Sequence, residues 1–182
     1  MAVFGSLLVL ALISGLTGMI MVMQMGPTLR DYGALDTLGG IIGVTFCREL
    51  GPIWAAVIIL ARVGSAMAAE LGTMKVNEEV EALRVMSIDP IRYLVLPRVV
   101  ALVLVLPMLT AIADAVGLAG AAMVANSLFD VPFEVFRASA REFLTISDFL
   151  SGLGKSAVFG FLIGAIACRQ GLSASGGAEG VG

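Results

Sequence analysis

The 182-residue chain is 59% hydrophobic and 14% charged, with a mean hydropathy of +1.02 and a formal net charge of −3. A soluble domain is nearer 45–50% apolar and about 25% charged, so the composition excludes an ordinary soluble domain and points to a polytopic membrane protein. The chain has no histidine, and so lacks the commonest metal ligand and the usual proton shuttle near neutrality.

Residues 2–25 form an apolar run unbroken by charge, and about 20 such residues cross a bilayer core. The run has no basic n-region and no small-residue cleavage site, so it reads as a span rather than a signal peptide. Ser14 and Gly18 make a small-xxx-small pair suited to close helix contact in lipid. Met19, Met21, Met23 and Met25 are flexible apolar filler taken singly, and together an adaptable wall for acyl chains. Gln24 and then Gly26-Pro27 are expected to end the span. The linker 28–40 carries Arg30, Asp31, Tyr32 and Asp36, and Tyr32 suits an aromatic anchor at headgroup depth.

The second segment, residues 41–69, is too long for one straight crossing. Arg48-Glu49-Leu50-Gly51-Pro52 is expected to bend it near one face, with 53–61 as the deep part, Arg62 closing it, and small residues at 64–69 packing near the other face. Charges near a span pair or line a polar cavity. Arg48 and Glu49 therefore have two readings: a snorkelling interface pair, or a gate at the mouth of a substrate cavity.

Residues 68–90 are the one long charged stretch. Val76, Val80 and Leu83 recur at helical spacing, with Glu78, Glu79, Glu81 and Arg84 on other faces. Asn77 is the expected N-cap, followed by acidic residues that suit a helix start. The helix should stop near Ile88, because Pro90 disfavours helical geometry at Asp89. Asp89 then caps a new helix with Pro90 in its first position. A solvated connecting loop is the bland reading of this stretch. Against it, both ends are bounded, and Val76, Val80 and Leu83 would face water unless something covers them.

The third segment, residues 91–125, carries Arg92 and Arg98 in its first turns, Pro97 and Pro107 as kink sites, and Asp114 within it. Asp114 is read as structural. Ala113, Gly117 and Ala121 form a packing face. Residues 126–148 read as an extramembrane amphipathic helix. The fourth segment, residues 149–168, sets Ser156, Gly160 and Gly164 at four-residue spacing, and a Gly-rich, loop-like tail follows.

Arg62, Lys75, Arg84, Arg92 and Arg98 cluster around the charged stretch, which the positive-inside rule assigns to the cytosol. Both termini are then cytosolic, and the other two loops face the opposite side. Cys47 and Cys168 fall near opposite faces, as two buried thiols rather than a disulfide. No Walker A pattern, HExxH, metal-spaced Cys/His set or Gly-x-Ser-x-Gly occurs, and the common triads need histidine. The chain is expected to be no enzyme, with no cofactor, no metal and no nucleic-acid partner.

The motifs Arg48-Glu49-Leu50-Gly51-Pro52, Ala61-Arg62-Val63-Gly64, the run from Ala68 through Glu70, Lys75 and Asn77 to Leu83, Ile88-Asp89-Pro90, Leu96-Pro97-Arg98 and Gly176-Gly177-Ala178-Glu179-Gly180-Val181-Gly182 together resemble the MlaE/YrbE family. These are permease subunits of ABC lipid transporters that work with MCE-domain proteins. The resemblance implies an all-α polytopic fold and one transmembrane permease domain over 1–182, truncated at both ends relative to the family. Four spans are present, and the family fold has one more at the C-terminus. It also implies a homodimer, a separate cytosolic ATPase subunit, a periplasmic MCE-domain protein, a phospholipid or related envelope lipid as substrate, and the bacterial inner membrane. On this resemblance residues 77–86 are the coupling helix, with Glu70, Lys75, Asn77, Glu78, Glu79, Val80, Glu81, Leu83 and Arg84 as coupling residues. Met21, Leu29, Tyr32, Arg48, Glu49 and Leu50 become lipid-pathway residues. A secondary transporter or channel and a non-transporting scaffold are the alternatives.

Overall fold

The computed structural model describes residues 2–174, with side chains from residue 5 onward; the Gly176–Gly182 motif lies outside the described residues. Among them every regular element is helical. Four stretches are long and apolar enough to cross a membrane: Gly5–Asp31, Leu35–Val76, Ile91–Phe129 and Ile146–Leu172. The chain is an all-α polytopic membrane protein, as its composition requires.

The first span, α1 (Ala2–Asp31), does not stop at Gly26-Pro27 but runs through it to Asp31. Proline is tolerated in a membrane helix, and the adjacent Gly26 packs directly against the ring of Phe129. The second span is α2 (Leu38–Thr45), α3 (Gly51–Ile59) and α4 (Ser65–Val76) joined end to end by two π-helical turns, Phe46–Leu50 and Leu60–Gly64. The expected bend at Arg48–Pro52 is thus a π turn with Pro52 in the first turn after it. A π turn inserts one residue into the ladder and re-aims the side chains that follow.

The short α5 (Glu79–Val85) connects to a third span that starts with the π turn Ile91–Val95 and continues as α6 (Leu96–Phe129). The amphipathic α7 (Phe133–Phe143) and the last span α8 (Ile146–Leu172) complete the fold. Thr145 caps α8 in a capping box: its hydroxyl accepts from the Asp148 N–H, and the Asp148 carboxylate accepts from the Thr145 N–H.

Small residues set the helix spacing. A Cβ on Gly18 would run into the carbonyl of Gly117, one on Gly152 into the carbonyl of Cys47, and one on Gly160 into that of Leu102. The packing faces expected at Ala113/Gly117/Ala121 and at Ser156/Gly160/Gly164 are all buried. These contacts run α1 parallel to α6 and α8 antiparallel to it. One end of the bundle therefore carries the α4–α5 turn, and the other carries α7. Cys47 and Cys168 are free and buried.

Candidate functional site

The α4–α5 turn is built differently from the expectation. Asn77 is the C-cap of α4, not the N-cap of α5: its N–H reaches back to the Thr73 carbonyl at 2.9 Å. Glu78 makes the reversal in the left-handed region, φ 60°, where a side chain is uncommon. α5 then runs only to Val85, short of Ile88. It ends in a Schellman motif, with Ser87 at φ 61°, its N–H on the Arg84 carbonyl at 2.9 Å and the Ile88 N–H on the Leu83 carbonyl at 2.9 Å. Asp89 caps the next helix as expected, its carboxylate accepting from the Ile91 N–H at 3.0 Å.

Side chains close the turn. Lys75 at the end of α4 donates to Glu81 on α5, and Arg84 pairs with the same carboxylate at 3.3 Å. The Lys75 hydrogen bond, with the charges of Arg84 and Lys75, holds the Glu81 carboxyl below the usual carboxylate range. Glu70 reaches from α4 to Arg98 on α6 at 3.1 Å. The apolar row that would face water unless covered is covered. Val80 is 2% exposed, while Leu83 and Val76 are half-buried. Their own chain covers them, because the reversal at Glu78 folds α5 back over α4 and the end of α8 (Lys75, Val80, Arg84 and Leu172 line one small cavity of about 180 Å³). The most exposed apolar side chains of α5 and its cap are Val85 at 86% and Met86 at 60%. Asn77, Glu78 and Glu79 are exposed beside them.

The second set of candidates divides. Met21, Leu29 and Leu50 pack around one apolar cluster with Val22, Ile42 and Phe46. Tyr32 stands apart, exposed after the end of α1. Arg48 and Glu49 do not pair with each other. Arg48 reaches Asp148 at 3.6 Å, and Glu49 accepts from Lys155 at 2.6 Å. Lys155 also donates to the Arg48 carbonyl at 3.0 Å, a carbonyl of the π turn. Asp148 and Lys155, two turns apart on α8, are partners that the sequence reading missed. The signal was there: charges inside spans tend to find opposite charges on neighbouring helices. Asp114 is buried against Gly51, with no hydrogen-bond partner on either carboxylate oxygen among the described residues.

The model of the family described as Permease MlaE matches residues 1–182. The chain belongs to the MlaE permease family. It is 42% identical to a probable ABC transporter permease protein of Synechocystis, over 97% of this chain and 67% of that protein. It is 40% identical to the chloroplastic protein TRIGALACTOSYLDIACYLGLYCEROL 1 of Arabidopsis thaliana, over 97% of this chain and 51% of that protein. A probable ABC transporter permease protein of Rickettsia typhi is 37% identical over 98% of this chain and 69% of its own length. The chain thus spans about two thirds of the two bacterial relatives and about half of the plant one. As an MlaE permease it is the membrane subunit of an ABC transporter, whose catalytic ATPase is a separate chain.

Proposed function

We propose that this MlaE permease moves phospholipid or a related envelope lipid across or out of the bacterial inner membrane, driven by a cytosolic ATPase that grips the α4–α5 turn. The name of the Arabidopsis relative contains a lipid, which supports a lipid cargo. The observation that carries the coupling is the continuity of the second span. Leu35–Val76 is 42 residues, about 60 Å at 1.5 Å per residue. It joins the α4–α5 turn at one end to the Arg48–Asp148 and Glu49–Lys155 pairs near the other. A push on the turn therefore acts on the polar cluster through one helical rod that contains two π turns. The ATPase favours whichever arrangement it contacts best, which is a population shift.

On this reading Asn77, Glu78, Glu79, Val85 and Met86 meet the ATPase. Glu70, Lys75, Val80, Glu81, Leu83 and Arg84 hold the turn in shape. Met21, Leu29 and Leu50 form an apolar wall of the lipid path, Tyr32 stands at its rim, and Arg48 and Glu49 set its polar edge. A second copy of the chain completes the path, and a periplasmic MCE-domain protein receives or delivers the lipid. The test is reconstitution of the copurified complex in liposomes with a fluorescent phospholipid. ATP-dependent loss of the lipid to an acceptor supports the reading. Hydrolysis with no lipid movement overturns it.

A further inference from the structure

A furrow between α6 and α7 is lined by Leu118, Ala119, Ala122, Phe133, Arg137 and Ala140, among others, with a cavity volume of about 270 Å³. None of these residues belongs to the turn or to the path described above. On α6 the two alanines, three residues apart, leave a hollow that Leu118 walls. On α7, Phe136 and Ser139 are buried against α2, where the Ser139 hydroxyl accepts from the Gly40 N–H at 3.0 Å. That docking leaves the Phe133/Arg137/Ala140 face over the furrow.

The floor is apolar, and among the described residues the one charged residue that lines the furrow is Arg137. Arg137 is exposed, and among the described residues no carboxylate pairs with it. Arg141 follows one turn later, also exposed and unpaired; Glu134 sits one turn before Arg137 without pairing to it. α7 joins the ends of two spans, and the furrow's two alanines lie on the span α6. The volume is just below the range of pockets that enclose a whole small molecule; it suits part of one acyl chain. A guanidinium binds a phosphate oxygen pair by charge-assisted hydrogen bonds.

We propose that the α6–α7 furrow is a binding site for an anionic membrane phospholipid, with its phosphate on Arg137 and an acyl chain against Ala119 and Ala122. The site rests on no transport activity, although Leu118 and Ala122 on its floor pack against the same apolar cluster as Met21, Leu29 and Leu50. A fixed lipid here would hold α7 to α6, on the side of α7 away from α2.

The test uses the full chain in nanodiscs containing a phosphatidylglycerol probe with a photoreactive group on its acyl chain, cross-linked peptides being mapped by mass spectrometry. Adducts in residues 118–140 are expected, with labelling reduced roughly tenfold by Arg137→Gln and largely kept by Arg137→Lys. Ala119→Phe, at an exposed position, fills the furrow with Arg137 intact and should also remove the adducts. The proposal is overturned by adducts only elsewhere, by equal labelling with a phosphatidylcholine probe, by insensitivity to both Arg137→Gln and Ala119→Phe, or by capture of a protein helix in place of lipid.

Discussion

Gly18 shows how one residue sets the distance between two spans. With no Cβ, it lets α1 close onto the backbone carbonyl of Gly117 on α6. Both contact partners are main chain, so neither can move aside as a flexible side chain would. Gly18→Leu should cost about 1–3 kcal/mol through overpacking and lower the thermal midpoint in detergent by several degrees. An unchanged midpoint would show that the helices do not pack this closely. Glu81 makes a different kind of residue-scale prediction. Its carboxyl is held low in the folded state by the hydrogen bond from Lys75 first, then by the charges of Arg84 and Lys75. A depressed acid contributes stability that is present above its unfolded value and is lost as pH falls through the folded one. A spin label at Met86 should therefore keep constant mobility from pH 7 to about 5 and loosen only below the usual carboxylate range near 4. Glu81→Gln should be loose throughout; a wild-type label that loosens already at pH 6 would contradict this.

Among the elements, the second span connects the α4–α5 turn to the Arg48–Asp148 and Glu49–Lys155 pairs. Its bend was legible because Arg48, Glu49, Gly51 and Pro52 are conspicuous in an apolar run. The second π turn, Leu60–Gly64, was not, because only Arg62 marks it and an extra residue in a helical ladder leaves no compositional trace. The α4–α5 turn was legible as a bounded unit, but its register was not. Asn77 is a good residue at either end of a helix, and the reversal falls instead on Glu78, which has no preference for the left-handed region to announce it. That one shift turns Val80 inward and leaves Val85 and Met86 outside. The cross-helix pairs also belong here. Glu49→Gln and Lys155→Met should each reduce lipid movement in the reconstituted complex, and the exchanged pair Glu49→Lys with Lys155→Glu should regain part of it, the signature of direct coupling in a double-mutant cycle. Single variants at full activity would make the pair a simple anchor.

For the whole molecule, the alternation of the four spans places the α4–α5 turn and α7 at opposite ends. The number of spans and the place of the amphipathic helix were readable from hydropathy and charge, since a bilayer demands about 20 apolar residues per crossing. How the spans pack was only half readable. Glycine and alanine repeats mark which faces touch, while partners such as Asp148 and Lys155 for Arg48 and Glu49 emerge only when α8 lies parallel to the second span. In a Cys47→Ser/Cys168→Ser background, Met86→Cys should react with a membrane-impermeant thiol reagent from the cytosolic side only, and Phe133→Cys from the outer side only. Labelling of both from one side would break the topology.

On the proposed coupling, a cytosolic ATPase grips the exposed tip of the α4–α5 turn. The most direct measurement places a photo-cross-linking amino acid at Met86, and at Phe133 as the control, and irradiates intact cells. A cross-link from position 86 to an ATP-hydrolysing subunit is expected, and none to that subunit from position 133. No such adduct at 86 under conditions where the ATPase copurifies, or an adduct at 133, would contradict it.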